Sequence, residues 1–218
     1  WVAHATHLGH EFCEDGTMTM DAKLKRGSFI GRSLEVCDAF AFAAPSEVLG
    51  AVKVYCSDMY GAMLWRLDSE PALKFTRCWN TCVKNVWGLS RATHTATVRW
   101  LASPHTSLRE DLLARWTKFY QSLRNSSSPE VATVARVAAG DLRTTTGSNN
   151  YLITQLGLSA STAKAAEVRE KMRENEPEES EEQMARHGLL LELLEQRGVS
   201  YYAGEEKDDD VNDIIDFL

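Results

Sequence analysis

The stretch SLREDLLARWTKFYQSL, residues 107–123, decides the fold class. Its apolar residues recur at three- and four-residue steps, which is the spacing of one face of an α-helix. Ser107 stands just before the first of them, where a helix-capping side chain belongs. The stretch therefore predicts a helix with a core-facing stripe of Leu108, Leu112, Leu113, Trp116, Phe119, Tyr120 and Leu123.

Comparable patterns flank this helix on both sides. They predict further helices over 45–67, 71–88, 95–101, 129–140, 163–175 and 178–197. In the helix over 45–67 the expected face is Val48, Val52, Tyr55, Met59, Met63 and Leu67. Asp21 is a possible cap for a segment running to Ala39, although Gly27 and Gly31 weaken a helix there. Residues 143–150 are rich in Thr, Ser, Gly and Asn and predict a loop.

The N-terminal residues carry the one strand signal. Residues 4–13 alternate loosely between apolar and polar types and end at Asp15-Gly16, which is a turn signal. We therefore expect a mainly α fold, a helical bundle with a short N-terminal β-strand or hairpin.

Composition restricts the class of protein. The chain has 218 residues, of which 44% are hydrophobic, enough to bury a core and to exclude wholesale disorder. No apolar run approaches the ~20 residues of a membrane span, and no signal peptide is visible. Five cysteines, an odd number, do not predict a disulfide framework, so we expect a reducing intracellular compartment, nuclear or cytoplasmic. The chain starts without Met, which suggests a processed product or a fragment.

Charge is distributed unevenly along the chain. The net charge is −7, yet residues 74–124 carry nine Lys and Arg against two acids, Glu110 and Asp111. Residues 151–218 carry 7 basic and 17 acidic residues. This asymmetry indicates a polyanion-binding surface upstream and a solvated or partner-binding tail.

Recognisable catalytic motifs are absent from the sequence. There is no phosphate-binding Gly-rich loop, dinucleotide fingerprint, nucleophile elbow or His-Glu-x-x-His. Ordinary structural roles are favoured over metal binding for three clusters, and we expect no cofactor or metal in this chain. The clusters are Asp208, Asp209 and Asp210; His4, His7, His10 and Cys13; and Cys78, Cys82, His94 and His105.

Nucleic-acid binding has better support. The candidate phosphate-binding residues are Lys74, Arg77, Lys84, Arg91, Arg99, Arg115 and Lys118. They are interleaved with aromatic residues that can stack on unpaired bases: Trp79, Trp87, Trp100, Trp116 and Tyr120. The alternatives are a plain solvated face for the cations and, for Trp79 and Trp116, packing in the core.

The C-terminus has its own pattern. Val211, Ile214, Ile215 and Leu218 follow an acidic run at the spacing of an amphipathic helix that docks in a groove. A protein partner for this tail is therefore possible. A frayed terminus or docking on the same chain is the favoured alternative.

Residues 77–98, RCWNTCVKNVWGLSRATHTATV, resemble the segment downstream of the polymerase core in non-LTR (LINE-type) retrotransposon reverse transcriptases. That family carries a Trp-rich helix, a Trp-Gly-Leu-Pro-Arg-like corner and Thr-His; here Ser90 replaces the Pro. Three other stretches agree in order. They are His7-Leu-Gly-His10, similar to a Tyr-Leu-Gly-His strand; Tyr55–Leu67, similar to a Tyr-Gly-x-x-x-Trp helix; and Thr146–Asn150, similar to a Thr-Gly-x-Asn loop.

The resemblance spans about residues 4–155 and implies the end of a palm followed by a thumb. It divides the chain into a palm-type strand segment (1–20), a helical nucleic-acid-gripping region (21–158) and an acidic helical tail (159–218). His7, Gly9 and His10 would lie near the primer end. The family's Tyr/Phe-x-Asp-Asp motif does not occur, so Mg²⁺ is expected only for a catalytic palm that this chain lacks.

Two functions follow as hypotheses. The first is a segment that binds template–primer or element RNA, with RNA or an RNA–DNA hybrid as partner, no membrane association and no polymerase activity alone. The second is a non-catalytic helical protein-interaction module that uses the acidic C-terminal docking motif.

Overall fold

A computed structural model of the protein describes residues 4–7, 10–13, 18–57, 59–93, 95–102, 105, 107–175, 189, 190 and 192. Most of these residues are helical, which confirms the mainly α class. The helices are α1 Thr19–Ala39, α2 Pro45–Cys56, α3 Glu70–Val86, α4 Thr95–Ala102, α5 Leu108–Arg124, α6 Pro129–Ala139, α7 Thr145–Gln155 and α8 Ala165–Glu174.

Two short strands precede the helices. β1 covers His4–His7 and β2 covers His10–Cys13, and they pair antiparallel with His7 opposite His10 and His4 opposite Cys13. Descent of this pair from a palm-type domain stays a prediction.

Contacts divide the chain into two compact units. Unit 1 comprises Trp1–Ser28, Asp58–Trp79 and Ser107–Pro177, and unit 2 comprises Phe29–Ser57, Asn80–Thr106 and Glu178–Leu218. Helices α1 and α3 each supply residues to both units. The predicted division at residues 20 and 158 is a separate question and stays a prediction.

Helix α5 is the centre of unit 1 and begins as the sequence predicts. The Ser107 hydroxyl accepts a hydrogen bond from the Glu110 amide (3.3 Å), and the Glu110 carboxylate accepts one from the Ser107 amide (3.0 Å). This reciprocal capping box satisfies two amides that the helix leaves unpaired. The buried stripe packs against α6, α7, α8 and a 3-10 turn at Ala62–Leu64. Of the predicted stripe, Phe119 and Leu123 are only half-buried.

Helix α2 ends eleven residues earlier than predicted. The backbone leaves the helix at Ser57, whose hydroxyl donates to the Lys53 carbonyl, and Gly61 then adopts a left-handed φ of 74°. Met59 and Leu67 are nevertheless buried, while Tyr55 is 67% exposed. Apolar spacing therefore continued past Cys56 although the helix did not.

The predicted loop over 143–150 is wrong, because α7 begins at Thr145. The Thr144 hydroxyl accepts a 2.9 Å hydrogen bond from the Gly147 amide and caps the helix. Gly147 is buried at the α6–α7 corner, where a Cβ would lie 2.0 Å from the Asp141 carbonyl oxygen. Only glycine fits this contact, so the Thr-Gly pair builds the corner.

Asn149 attaches α7 to the segment that follows the 3-10 turn. Its side chain is fully buried, accepts from the Leu67 amide (2.9 Å) and donates to the Trp65 carbonyl (2.9 Å). The stretch Thr146–Asn150, which the resemblance singles out, therefore contributes packing and backbone hydrogen bonds within unit 1.

Helix α1 is continuous despite its two glycines. It begins at Thr19, so Asp21 is not its cap; the buried Asp21 carboxylate instead accepts a 2.7 Å hydrogen bond from the Trp65 indole. A Cβ at Gly27 or Gly31 would meet nothing within 4 Å, so packing does not require glycine at either position.

The first part of the predicted tail forms a helix that belongs to unit 1. Helix α8 agrees with the predicted helix over 163–175, and it packs along α5. Apart from residues 189, 190 and 192, the helix predicted over 178–197 lies outside the described residues.

Candidate nucleic-acid interface

The corner after α3 is built around Gly88. The Leu89 amide donates to the Lys84 carbonyl (2.8 Å), the Gly88 amide donates to the Asn85 carbonyl (3.1 Å), and Gly88 has a φ of +63°. A left-handed glycine with these bonds ends a helix and reverses the chain. Gly88 therefore caps the C-terminal end of α3.

The corner brings two of the predicted cations into contact. The Lys84 ammonium donates a 2.7 Å hydrogen bond to the Arg91 carbonyl oxygen, and Arg91 itself is exposed. An ammonium group has three N–H donors, so Lys84 keeps two for another acceptor. Ser90 fixes the turn, since its hydroxyl accepts a 3.2 Å hydrogen bond from the Ala92 amide. We define the Lys84–Arg91 corner as the segment from Lys84 to Ala92.

Lys74 and Arg77 lie on the first half of α3. Both are exposed and both approach one carboxylate oxygen of Glu70, at 3.4 Å and 3.9 Å. Exposed ion pairs of this kind contribute ~0–1 kcal/mol. A phosphate group can therefore replace Glu70 as the counter-ion of these two cations.

The remaining predicted cations lie on other helices. Arg99 is exposed on α4, Lys118 is exposed on α5, and Arg115 on α5 is half-buried. Lys74, Arg77, Arg115 and Lys118 belong to unit 1, and Lys84, Arg91 and Arg99 belong to unit 2. Of the seven, Lys84 and Arg91 are joined directly by a hydrogen bond.

The two acids of the basic stretch are both engaged by α8. Arg173 lies 3.2 Å from the Glu110 carboxylate and Arg169 lies 3.4 Å from that of Asp111. Two arginines of α8 therefore neutralise the two carboxylates at the start of α5.

Most of the interleaved aromatic rings are unavailable to bases. Trp79, Trp87, Trp116 and Tyr120 are each no more than 6% exposed, and the rings of Trp116 and Tyr120 stack with centroids 5.4 Å apart. The core-packing alternative is thus the right one for Trp79 and Trp116. Fully exposed aromatic surface lies instead at Phe42, between α1 and α2, which we had not singled out. The sequence feature that could have indicated an exposed ring is a Phe in a short connection between two helices, outside the apolar stripe of either.

Several predicted site residues have little or no structural description. His7 and His10 are paired by the backbone of β1 and β2. Gly9 and the docking residues Val211, Ile214, Ile215 and Leu218 lie outside the described residues.

Cys37, Cys56, Cys78 and Cys82 are free thiols, and the last three are buried. Burial raises the pKa of the Cys56 thiol to about 11 and raises the pKa values of Cys78 and Cys82. Thiols with raised pKa values stay protonated and bind metals poorly at neutral pH. No group of three or more His, Cys, Asp or Glu within the described ranges is arranged to hold a metal ion.

No protein-family model, curated protein or solved structure matched the chain significantly. Among the helices described, none is both long and apolar enough to cross a membrane.

Proposed function

We propose that the chain is a nucleic-acid-binding helical segment, of the kind found downstream of the polymerase core in non-LTR retrotransposon reverse transcriptases. Its partner is RNA or an RNA–DNA hybrid, and its role is to hold the nucleic acid through phosphate contacts. The catalytic carboxylates of such a polymerase are not part of this proposal.

One observation carries the proposal: both acids of residues 74–124 form ion pairs with α8, through Arg173–Glu110 and Arg169–Asp111. These pairs neutralise the negative charge inside a stretch that has nine cations. The helical region 18–175 has 21 Lys and Arg against 14 Asp and Glu, whereas residues 176–218 have 3 against 14. A helical body with net positive charge attracts the phosphate backbone, which dominates nucleic-acid affinity.

The Lys84–Arg91 corner supplies the best-defined phosphate ligands. The exposed guanidinium of Arg91 can bind a phosphate with two parallel hydrogen bonds. The neighbouring Lys84 ammonium is held by the Arg91 carbonyl and keeps two donors. Two positive charges on one tight turn suit a nucleic-acid strand, since successive phosphodiesters along the strand offer an anionic group to each.

The test compares two charge reversals of equal size. Arg91→Glu changes the corner, and Arg143→Glu changes an arginine whose side chain is 90% exposed and paired with Asp141 outside the basic stretch. Fluorescence anisotropy with a labelled RNA–DNA hybrid should show at least tenfold weaker binding for Arg91→Glu, and a smaller loss for Arg143→Glu. Equal losses would show that only net charge matters and would contradict a defined corner.

A second candidate function is a helical protein-interaction module, and α6 favours it. Val131, Val134 and Val137 of α6 are 40%, 67% and 71% exposed, so one side of this helix presents apolar surface to solvent. Exposed contiguous apolar surface commonly marks a protein contact. Val134→Ser should leave nucleic-acid affinity unchanged because it changes no charge, and loss of concentration-dependent association in sedimentation experiments would support this second function.

A further inference from the structure

Helix α6 buries one side and exposes the other. Ala132 and Ala135 are buried where the helix packs against α5 and α7. Val134 and Val137 lie on the opposite side, where their three-residue spacing makes them neighbours, and Val131 is exposed at its edge. The exposed side is therefore apolar over the middle of the helix.

Neither helix formation nor core packing favours valine at these positions. A β-branched side chain loses rotamer freedom in a helix, so exposed helical positions favour alanine or a straight-chain residue instead. Exposure also leaves the methyl groups in water, without the burial that would offset this cost. Three such residues on one exposed side indicate a surface that another molecule covers.

One charge of each sign flanks the valines, at opposite ends of the helix. Glu130, in the first turn, is exposed and accepts a 2.6 Å hydrogen bond from the Ser128 hydroxyl. Arg136, in the last turn, is exposed and donates a 3.3 Å hydrogen bond to the Thr133 hydroxyl. Both hydrogen bonds are to neutral hydroxyls, so each charge can still form a salt bridge.

From this pattern we propose that α6 pairs antiparallel with α6 of a second copy of the chain, about a twofold axis at Val134. Val134 then meets the partner's Val134, and Val131 lies opposite the partner's Val137. Glu130 comes within about 3 Å, measured along the helix axis, of the partner's Arg136. The helix is thus complementary to itself in apolar surface and in charge, as a twofold interface requires.

This inference rests on the second candidate function and narrows its partner to a second copy of the chain. A parallel pair of α6 helices would place like charges side by side. The acidic C-terminal segment would bring further carboxylates against Glu130. A lipid surface favours helices with several Lys and Arg on the polar side, whereas α6 has Arg136 alone.

The size of the contact predicts a weak dimer. Helix α6 has 11 residues and is therefore about 16 Å long. One side of so short a helix buries much less than the ~800 Å² per partner of a standard stable interface. Association should therefore be seen at protein concentrations on the order of 100 µM, as for transient complexes.

Disulfide trapping tests the position of the twofold axis. Two helices packed about 8–10 Å apart bring facing Cα atoms within the reach of a disulfide. Val134→Cys, oxidised with diamide, should give roughly tenfold more linked dimer than Ala166→Cys, an exposed position on α8. The oxidised wild-type chain measures the background from the native cysteines.

Charge reversal tests the antiparallel direction in sedimentation equilibrium. Glu130→Arg and Arg136→Glu each place like charges together when the variant is alone, and each should weaken association roughly fivefold. An equimolar mixture of the two variants should associate as well as the wild type, because every Arg then faces a Glu. Val134→Ser keeps both charges and should also weaken association.

The outcomes separate this inference from the second candidate function. A wild-type chain that stays monomeric at about 100 µM overturns the dimer. Association that Val134→Ser leaves unchanged does not involve α6, and it overturns both the dimer and the second candidate function. If Val134→Ser weakens association but Val134→Cys gives no more linked dimer than Ala166→Cys, the second candidate function stands and the antiparallel pair is wrong.

Two further results would also overturn the pairing. One is a mixture of the charge variants that associates no better than either variant alone. The other is an equal loss of association in Val134→Ser and in the full-length double variant Ile214→Ser, Ile215→Ser, which would assign the α6 surface to the C-terminal segment. Nucleic-acid binding is measured separately and is unaffected by any of these results.

Discussion

The indole N–H of Trp65 donates a 2.7 Å hydrogen bond to the carboxylate of Asp21, and both side chains are buried. The bond joins the start of α1 to the segment after the 3-10 turn, within unit 1. Trp65 also meets Phe75 edge to face, with ring centroids 5.1 Å apart. The Trp65 ring therefore takes part in both a buried hydrogen bond and an aromatic contact.

Replacing Asp21 tests the importance of that contact. Asp21→Ala should lower the free energy of unfolding by about 1.5–3 kcal/mol, because the buried indole loses a charged acceptor. Asp21→Asn keeps an acceptor oxygen and should cost less. Urea denaturation followed by tryptophan fluorescence measures both variants, with Lys23→Ala on the exposed side of α1 as control. A loss no larger than that of the control would show that the hydrogen bond contributes little.

Asn149 is the second buried polar link, and its two functions can be separated. Asn149→Asp keeps the acceptor for the Leu67 amide but replaces the donor to the Trp65 carbonyl with a carboxylate oxygen. We expect this variant to lose about 2–4 kcal/mol, since it buries an unpaired negative charge. Asn150→Asp on the same helix, where the side chain is half-buried, should cost less. Similar unfolding midpoints for the two variants would contradict the role assigned to Asn149.

Alanine substitutions at Gly147 and Gly27 should change the free energy of unfolding in opposite directions. Gly147→Ala would put a Cβ 2.0 Å from the Asp141 carbonyl oxygen and should destabilise unit 1 by about 3 kcal/mol or more. Gly27→Ala on α1 meets nothing within 4 Å and should stabilise the helix by about 0.5–1 kcal/mol. Thermal unfolding monitored by circular dichroism measures both changes. A stable Gly147→Ala variant would mean that the α6–α7 corner is looser than the structure has it.

These residues also show how far sequence patterns predict this fold. Helices α3, α5 and α6 follow from apolar spacing and local caps, because Ser107, Ser128 and Gly88 act within one turn of their own sequence. Helix α7 does not follow, because its Thr- and Asn-rich sequence has weak intrinsic preference. The two hydrogen bonds of its buried Asn149, to residues 65 and 67, join positions more than eighty residues apart.

The candidate site was predictable only in part. Residues 74–124 contain nine cations and two acids, so composition alone predicts a positively charged surface. The ion pairs of Glu110 and Asp111 with α8 depend on tertiary packing and cannot be predicted from local sequence. A charge count over 151–218 does not reveal the arginines of α8, because it includes the acidic residues that follow that helix. The tryptophans were ambiguous, since the same spacing suits a core stripe and a stacking surface; burial decides for the core.

His105 makes the stability of unit 2 depend on pH. Burial, together with the charge of Lys53, lowers the pKa of His105 below its usual 6.5, although its Nε2 lies 3.0 Å from the Ser46 carbonyl oxygen. The unfolded chain takes up the proton at a higher pH than the folded chain. Stability is therefore fully present above 6.5 and falls as the pH drops from 6.5 toward the folded pKa.

The measurement for His105 is a pair of denaturant titrations at about pH 7.5 and about pH 5.5, on either side of the usual histidine pKa. The wild-type chain should lose more stability between them than His105→Gln, which cannot take up a proton. If both proteins lose the same amount, the titration of His105 does not contribute, and other groups cause the pH dependence.

The central claim, that the helical body holds nucleic acid through phosphate contacts, is tested most directly by the salt dependence of its binding to an RNA–DNA hybrid. We predict measurable affinity at low salt and a linear fall of log K with log salt concentration, with a slope corresponding to about four or more phosphate contacts. No binding at about 50 mM salt, where phosphate contacts are strong, would contradict the claim.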